Sequence, residues 1–512
     1  MAKNVPKTVA VVEIGSNELR LKIGQASKGK QKILETLDYP LGLGRDSFTT
    51  GRISFEKADK VCEIIRNYLT VAREYGVSRL RVVATTAVRE ARNRDYVLDQ
   101  IRLKTGVDVE VIDDLEENYA IYKCMLHTLP KDLKQSALMI YIGSGNVGIS
   151  MVQKEKIPFV QKVKIGSLRL SELFEDIQDY SREFYVVMEE YLETFTDNLA
   201  AQIMEAPRHF IASGNEIALV AQLCRAESRH NAYYISKAAF QALYETIKAG
   251  SVESVMDTYG ISMDKAELLL PSLCIFNNLW QFSQADAIVA PMVQLVDAML
   301  FQLLDPEAYD ETDKSFQKNI ALSSRRLAEK FGTTTNHYCR VEKFALKIFD
   351  KLKKLHGLSS KEKAYLQSAA ILHDIGKIIN SRSHYRYSYE MIRGLDIVGL
   401  NLREIEMVAA ISRYHSRLTP GRHDPVYNAL APGEQVLVSK LSAILRLADA
   451  LDRSHIQKYD DIDVSMAEDR LVISITTDKN TELEQWSFGD KSQFFEEVFG
   501  LKANLKKKKV AQ

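Results

Sequence analysis

Neither sign of charge is in excess in this sequence. Lys plus Arg and Asp plus Glu both total 68 in 512 residues, so the net charge is zero. No overall field draws in a polyanion; an anion site has to be built locally, and DNA is not an expected partner. No apolar run approaches the roughly 18 residues of a membrane helix, so no membrane span is expected. The opening stretch MAKNVPKTVAVVEIG lacks an apolar core followed by a small-residue cleavage site, and no signal peptide is expected. Cysteine is sparse. Cys62, Cys124, Cys224, Cys274 and Cys339 lie far apart, odd in number and without metal-ligand spacing, which fits reduced thiols in a cytoplasmic protein. The one basic run, Lys506, Lys507, Lys508 and Lys509, reads as a solvated tail, or else as a grip on an anionic partner.

What is present is an ordinary globular balance, 46% apolar and 27% charged. The length is too great for one core and predicts two to four domains. Residues 8–23, TVAVVEIGSNELRLKI, read as two strands joined at Gly15, Ser16 and Asn17. A helix over 54–75 and a strand over 80–84 follow. TAVREARNRDYVLDQIRLKTG reads as one helix ending at Gly106. VDVEVID reads as a strand, with Asp114 capping the helix LEENYAIYKCMLHTL. ALMIYIGSGNVGISM is strand, turn, strand; FVQKVKIG is a strand before the helix SLRLSELFED; HFIASGNEIALVAQL is strand, turn, helix. Glycine turns thus follow strands at Gly15, Gly143 and Gly214, and the first two open the same kind of unit. This weak internal repeat predicts two similar α/β lobes. From 314 to 451 the pattern is helical, and seven of the ten histidines fall between His337 and His455. Strands return after Tyr459, and DKSQFFEEVFGLKANLKKKK is expected to close the chain as a helix.

A turn after a strand aims successive backbone N–H groups into one space, and two such turns across a cleft would clamp a chain of phosphates. VVEIGSNELRL, ATTAVREARN, LEENYAIY, YIGSGNVG, VKIGSLRLSELF and ASGNEIALV, followed by ILHDIGKIIN, RYH and LRLADALDRSH, occur in an order that resembles the exopolyphosphatase / guanosine pentaphosphate phosphatase family (Ppx/GppA), in its long form with a C-terminal HD-type domain. The resemblance runs from about Val9 to about Thr477. It implies an α/β fold of two actin-like lobes (acetate/sugar kinase–Hsp70–actin, ribonuclease H-like) over 1–125 and 126–313. An all-α HD-type domain over 314–457 and a small α+β domain over 458–512 would follow. It implies release of terminal phosphate from inorganic polyphosphate or pppGpp in the lobe cleft, with Mg2+ or Mn2+, in a homodimer.

By the same resemblance Glu13 stands for the acid beside the first turn, and Glu117 for the general base. Arg89 matches a phosphate-binding arginine, and Gly15, Ser16, Asn17, Gly143, Ser144, Gly145, Asn146 and Gly214 match the phosphate turns. These types suit the chemistry: a base activates water, and donors and cations stabilise the transferring group. Read from residues alone, Glu116 and Glu117 are also explained as first-turn helix charge, and Arg89 as a surface ion pair. The sequence departs from the family turn Asp-Ile-Gly-Gly-Gly-Ser-Thr-Glu, having Tyr141-Ile142-Gly143-Ser144-Gly145-Asn146-Val147-Gly148. Both flanking acids are gone, which predicts weakened metal assistance. The third turn has Asn215 where threonine is usual.

AAILHDIGKI sets His373 beside Asp374 in an apolar helix, a pairing that cores rarely accept without a use. With His337 and Asp449 these match the His…His-Asp…Asp ligands of HD-domain metallophosphohydrolases, and His384 and His415 lie where binuclear members place further ligands. The set suits a divalent transition metal or Mg2+, and Lys377 is placed to meet a substrate phosphate. His423 and His455 read as loop or surface residues. Three functions are therefore expected in order: phosphoanhydride hydrolysis at the lobe cleft; metal-dependent phosphohydrolysis at the HD-type site; or a catalytically weak regulator that binds polyphosphate or an alarmone.

Overall fold

The same order of strands is used twice in the first half of the chain. The structure, a computed structural model, describes residues 7–27, 30–174, 184–200, 203, 205–467 and 470–508. Its first sheet comprises β1 (Lys7–Ile14), β2 (Glu18–Ser27), β3 (Lys30–Pro40), β4 (Arg79–Ala84) and β5 (Glu110–Val111), ordered β3-β2-β1-β4-β5. Its second comprises β6 (Ser136–Ile142), β7 (Val147–Gln153), β8 (Lys156–Val163), β9 (His209–Gly214), β10 (Glu227–Arg229), β11 (Ala232–Ser236) and β12 (Ala287–Ala290), ordered β10-β11-β12-β9-β6-β7-β8. In each, a hairpin of three antiparallel strands continues into two parallel ones: β3-β2-β1-β4-β5 corresponds to β8-β7-β6-β9-β12. The weak repeat seen in the glycine turns is this duplicated topology.

Central strands are apolar on both faces because helices cover both sides. Val9, Ala10, Val11 and Val12 are all fully buried. The helix Phe55–Glu74 starts where Ser54 accepts a hydrogen bond from the Lys57 N–H. The segment expected as a single helix after β4 is two, Thr86–Glu90 and Arg94–Thr105. Ala91 is extended between them and Asn93 turns back to Ile53, giving and taking one hydrogen bond. The cap of helix Asp114–Thr128 is Asp113, whose carboxylate accepts from the Leu115 and Glu116 N–H groups. Asp114, expected as the cap, turns inward instead. Helix Ser167–Leu173 follows β8; the last two residues of its expected span, 175 and 176, lie outside the described residues.

The expected division at 125/126 falls inside helix Asp114–Thr128. Helix Leu295–Leu304, expected in the second lobe, packs on the first sheet: Lys22 pairs with Asp297, Lys7 donates to the Leu303 carbonyl at 2.7 Å, and Gly24 sits against Leu300 and Leu304. The chain leaves the first lobe and returns to it.

The chain forms two compact units, Met1–Phe316 and Gln317–Gln512. The second has helices Thr335–Lys351, Ser360–Leu372, His384–Arg393, Leu402–Arg413 and Pro432–Ala450, then a sheet of β13 (Ile462–Ala467), β14 (Arg470–Thr476) and β15 (Lys502–Lys508), with helix Glu482–Phe499 between β14 and β15. The expected closing helix is therefore helical only to Phe499, and Lys502–Lys508 form a strand instead. Gly500, at φ 67°, stops the helix, and β15 pairs parallel with β14. Three of the four lysines of the basic run belong to this strand, and Lys509 lies outside the described residues. No helix among the described residues is long and apolar enough to cross a membrane.

Candidate active site

The two duplicated turns face one cavity. Ser16 Oγ accepts from the Ala87 N–H, fixing the first turn to the helix after β4. The second turn closes with Gly143 N–H donating to the Asn146 carbonyl at 2.9 Å. Gly145 must be glycine because a Cβ there would lie 2.7 Å from Thr86 Cγ2, across from the first lobe. Arg169 braces this turn, donating to the Gly145 carbonyl at 2.9 Å while pairing with Glu90 at 2.5 Å. The enclosed space is about 20 Å³, room for about one water. It is lined by Glu13, Gly15, Ser16, Asn17, Glu117, Gly143, Ser144, Gly145 and Asn146, as expected, and also by Glu18, Arg20, Thr85, Thr86, Tyr141 and Asn215.

Arg89 and Gly214 do not line it. The Arg89 guanidinium donates to the Ile112 carbonyl at 2.6 Å and to Thr86 Oγ1 at 2.8 Å, and pairs with Asp114. Asp114 also accepts from Asn146 Nδ2 at 2.6 Å and Lys162 Nζ at 2.7 Å. Arg89 therefore does not face the cavity; it acts on it through Thr86, through Asp114 and Asn146, and through its charge near Glu117. Gly214 adopts φ 146°, where a Cβ would strike the Ile142 carbonyl, and lines a neighbouring pocket with Arg225 and Tyr233. The arginine on the wall is Arg20, held by Glu18, Asp38 and Gln294. Nothing local in GSNELRL marks Arg20 over its neighbours; strand alternation, which turns it to the same side as Glu18, was the available signal.

Burial pushes the Glu13 carboxyl up to about 7 despite Arg20 nearby, and burial raises Glu117 to about 7 despite Arg89. Burial, with Glu117 and Glu13, holds the Tyr141 hydroxyl well above its usual range. One Glu117 oxygen, Oε2, and Asn146 Oδ1 are buried without a hydrogen-bond partner. Buried acceptors left unsatisfied are costly. Together with Glu13 they are the donor set of a hard, oxygen-preferring divalent cation, so the residues fit Mg2+ or Mn2+.

The missing acid at 148 has a local cause. A Cβ on Gly148 would lie 2.6 Å from both Asn118 Oδ1 and the Tyr122 hydroxyl. Those two side chains fill the space an acid would use. Gly148→Glu is expected to destabilise the protein by about 1–3 kcal/mol through overpacking. Adding Asn118→Ala is expected to recover part of that loss in urea melts; strict additivity of the two changes would show that Asn118 is not the obstacle.

A second cluster lies in the second unit. His337 is at the start of helix Thr335–Lys351, and His373 ends helix Ser360–Leu372, with Asp374 just beyond it rather than within the helix. His384 opens the next helix, His415 follows Leu402–Arg413, and Asp449 projects from Pro432–Ala450. Every Nδ1 has an acceptor. His337 faces Asp452 Oδ2 at 2.8 Å, and His373, His384 and His415 face the carbonyls of Ala370, Ser381 and Ser412 at 2.8, 3.0 and 2.5 Å. These acceptors turn every Nε2 inward: His337 and His373 meet at 3.3 Å, His384 and His415 at 3.1 Å. Asp374 serves both pairs. Its Oδ2 is 3.6 Å from the first two and its Oδ1 is 3.4 and 3.9 Å from the others. His337, His373 and Asp374 form one metal-competent set, and Asp374, His384 and His415 another. Asp449 Oδ1 lies 3.4 Å from His337 and 3.6 Å from His373. All six expected ligands are thus brought together.

Burial opposes it, but Asp449 and Asp452 raise His337 to about 9, while burial holds His415 well below its usual value. His455, read as a loop or surface residue, does lie in a loop but is half-buried, stacking on His337 at 3.6 Å. A left-handed φ of 59° folds its loop back over the centre, a conformation that sequence pattern did not announce. Asp452 was also missed; it is one turn beyond Asp449 in ADALDRSH.

Residues 23–305 match the Ppx/GppA phosphatase family, and residues 321–492 match Ppx/GppA phosphatase, domain III. The chain belongs to the Ppx/GppA phosphatase family. It is similar to the guanosine-5'-triphosphate,3'-diphosphate pyrophosphatase of Photobacterium profundum, 19% identical over 476 residues and 91% of each chain. It is 22% identical to that of Pseudoalteromonas translucida over 86% of each. A bifunctional 3-dehydroquinate synthase/phosphatase of Fusobacterium nucleatum is 24% identical over 185 residues, 34% of this chain and 28% of the relative. Among solved structures, an exopolyphosphatase from Cytophaga hutchinsonii aligns with TM-score 0.53 and 22% identity over 59% of this chain and 98% of that one. That likeness shows the actin-like two-lobe α/β fold. Within this Ppx/GppA member Glu117 and the second turn lie in the first match, Glu13 and the first turn lie just before it, and the His/Asp set lies in the domain III match.

Proposed function

We propose that this Ppx/GppA protein hydrolyses the terminal phosphoanhydride of inorganic polyphosphate or of guanosine pentaphosphate in the cleft between its actin-like lobes. The carrying observation is the buried Glu117 carboxyl, near neutral in affinity for protons, facing two glycine turns across one cavity. Glu117 takes the proton of the attacking water, a role that works best with a pKa near the working pH. The turn amides at 15–17 and 143–146 receive the phosphoryl oxygens. Arg89, through Asp114, holds Asn146 in place. Glu13, Glu117 and Asn146 would hold Mg2+ or Mn2+, which supplies charge stabilisation at the phosphoryl group. The wall carries three carboxylates, Glu13, Glu18 and Glu117, against one arginine, so a polyanion requires that added charge.

Phosphate release from polyphosphate and pppGpp, with Mg2+ or Mn2+ and after chelation, tests this reading. No release from either substrate, with binding retained, would leave only a regulator. Burial raises Glu117 and Glu13 to about 7 in the metal-free protein, and a bound cation would draw both down, so kcat/KM is expected to fall on the acid side of a pKa below about 7 that moves up as the metal is depleted. A profile with no acid limb at any metal concentration would remove Glu117 from the role of base.

A second reading is favoured by the four converging Nε2 atoms. The unit from 317 onward is read as an HD-type helical domain with a small α+β end, its centre holding divalent metal on His337, His373, Asp374, His384, His415 and Asp449. Metal there would support hydrolysis of a second phosphate compound, with Lys377 at the mouth. The protein is read as a cytoplasmic homodimer that binds no DNA.

A further inference from the structure

The His/Asp centre is surrounded by cations of the chain itself. Lys377 Nζ lies 2.5 Å from Asp374 Oδ2 and is half-exposed. Lys491 differs: it comes from helix Glu482–Phe499, beyond the family's histidines in sequence, and is only 6% exposed. Its ammonium contacts Asp449 Oδ2, while Asp449 Oδ1 faces His337 and His373. Arg446, another nearby cation, is already engaged. Arg446 donates to the carbonyls of Tyr414, Ser416 and Leu418 and lies over the Phe494 ring. A buried lysine without a counter-charge is strongly disfavoured, and so is a buried aspartate. Lys491 and Asp449 therefore satisfy one another, through the one carboxylate oxygen that does not face the histidines.

We propose that Lys491 is the resident counter-ion of this centre: its ammonium balances Asp449 when no metal is bound, so that the second unit folds without the ion, and it opposes the ion when one arrives. This rests on the metal reading of the centre. The same placement fixes Asp449 as a one-oxygen ligand, with Oδ1 alone turned to the histidines. Like charge held against a ligand weakens cation binding.

The test uses the full chain and Mn2+ as probe, with calorimetric titration and thermal unfolding in EDTA and in saturating Mn2+. Wild type is expected to be folded in EDTA and to bind Mn2+. Lys491→Met is expected to unfold at lower temperature in EDTA, to regain most of that loss with Mn2+, and to bind Mn2+ about tenfold or more tightly. Should Lys491→Met fail to fold in EDTA, Asp449→Asn/Lys491→Met removes both charges and is expected to fold there. Equal or weaker Mn2+ binding by Lys491→Met, or a double variant still unfolded in EDTA, overturns the counter-ion role and leaves Lys491 as a packing residue. Absence of Mn2+ binding by wild type itself would instead overturn the metal reading on which the role depends.

Discussion

Glu117→Gln is expected to lower phosphate release by about 10²- to 10⁴-fold while making the metal-free protein more stable at pH 8. The first half follows from the loss of a positioned base. The second follows from burial. Glu117 is 4% exposed, and its carboxyl rises from 4.5 to about 7 on folding. The folded state therefore binds more protons than the unfolded state between those values, so stability is full below about 4.5 and is lost as pH rises through about 7. The shift corresponds to about 3 kcal/mol withheld above pH 7. Glutamine carries no charge to bury, so the variant should lack this slope. Urea melts at pH 4 and 8 in EDTA measure it: the variant should gain on wild type at pH 8 and not at pH 4. A Gln variant that loses activity and stability together would mean Glu117 is structural. One that keeps its activity would move the chemistry elsewhere.

Asp374→Ala is expected to abolish Mn2+ binding at both halves of the second unit's centre. Asp374 is the shared member of the two metal-competent sets, one oxygen toward each histidine pair. Losing the anionic side chain shared by both sets should weaken binding by about 100-fold or more, beyond the 10–100-fold typical of removing an outer partner such as Asp452. His415→Ala, by contrast, should spare the set of His337, His373 and Asp374. Stoichiometry by metal analysis separates the cases. Phosphate release from polyphosphate or pppGpp should persist in Asp374→Ala; its loss would transfer that reaction to the second unit.

Local pattern revealed what local pattern determines. The strand–glycine–strand units at Gly15 and Gly143 were legible because the turn and its flanking alternation lie within a dozen residues, and their kinship emerged as the same sheet order built twice. The six His and Asp side chains that converge in the second unit were legible from their likeness to the ligand order of HD-domain proteins. What escaped depends on distant chain. Arg20 became the cavity's arginine, and Arg89 its indirect support, because Asp114 competes for the Arg89 guanidinium across the lobe. The closing GLKANLKKKK is rich in good helix formers, yet the open edge of β14 and the left-handed Gly500 outweigh propensity. Asp113 displaced Asp114 as cap by a single residue, and that shift frees Asp114 to gather Arg89, Lys162 and Asn146.

A cavity with room for about one water, set between two glycine turns, bears on how a phosphoryl group is taken in. A phosphoryl group and its attacking water together need more room than that. Uptake of substrate would therefore require the two turns to draw apart, and the return of Thr86 against Gly145 would keep solvent from the reacting pair.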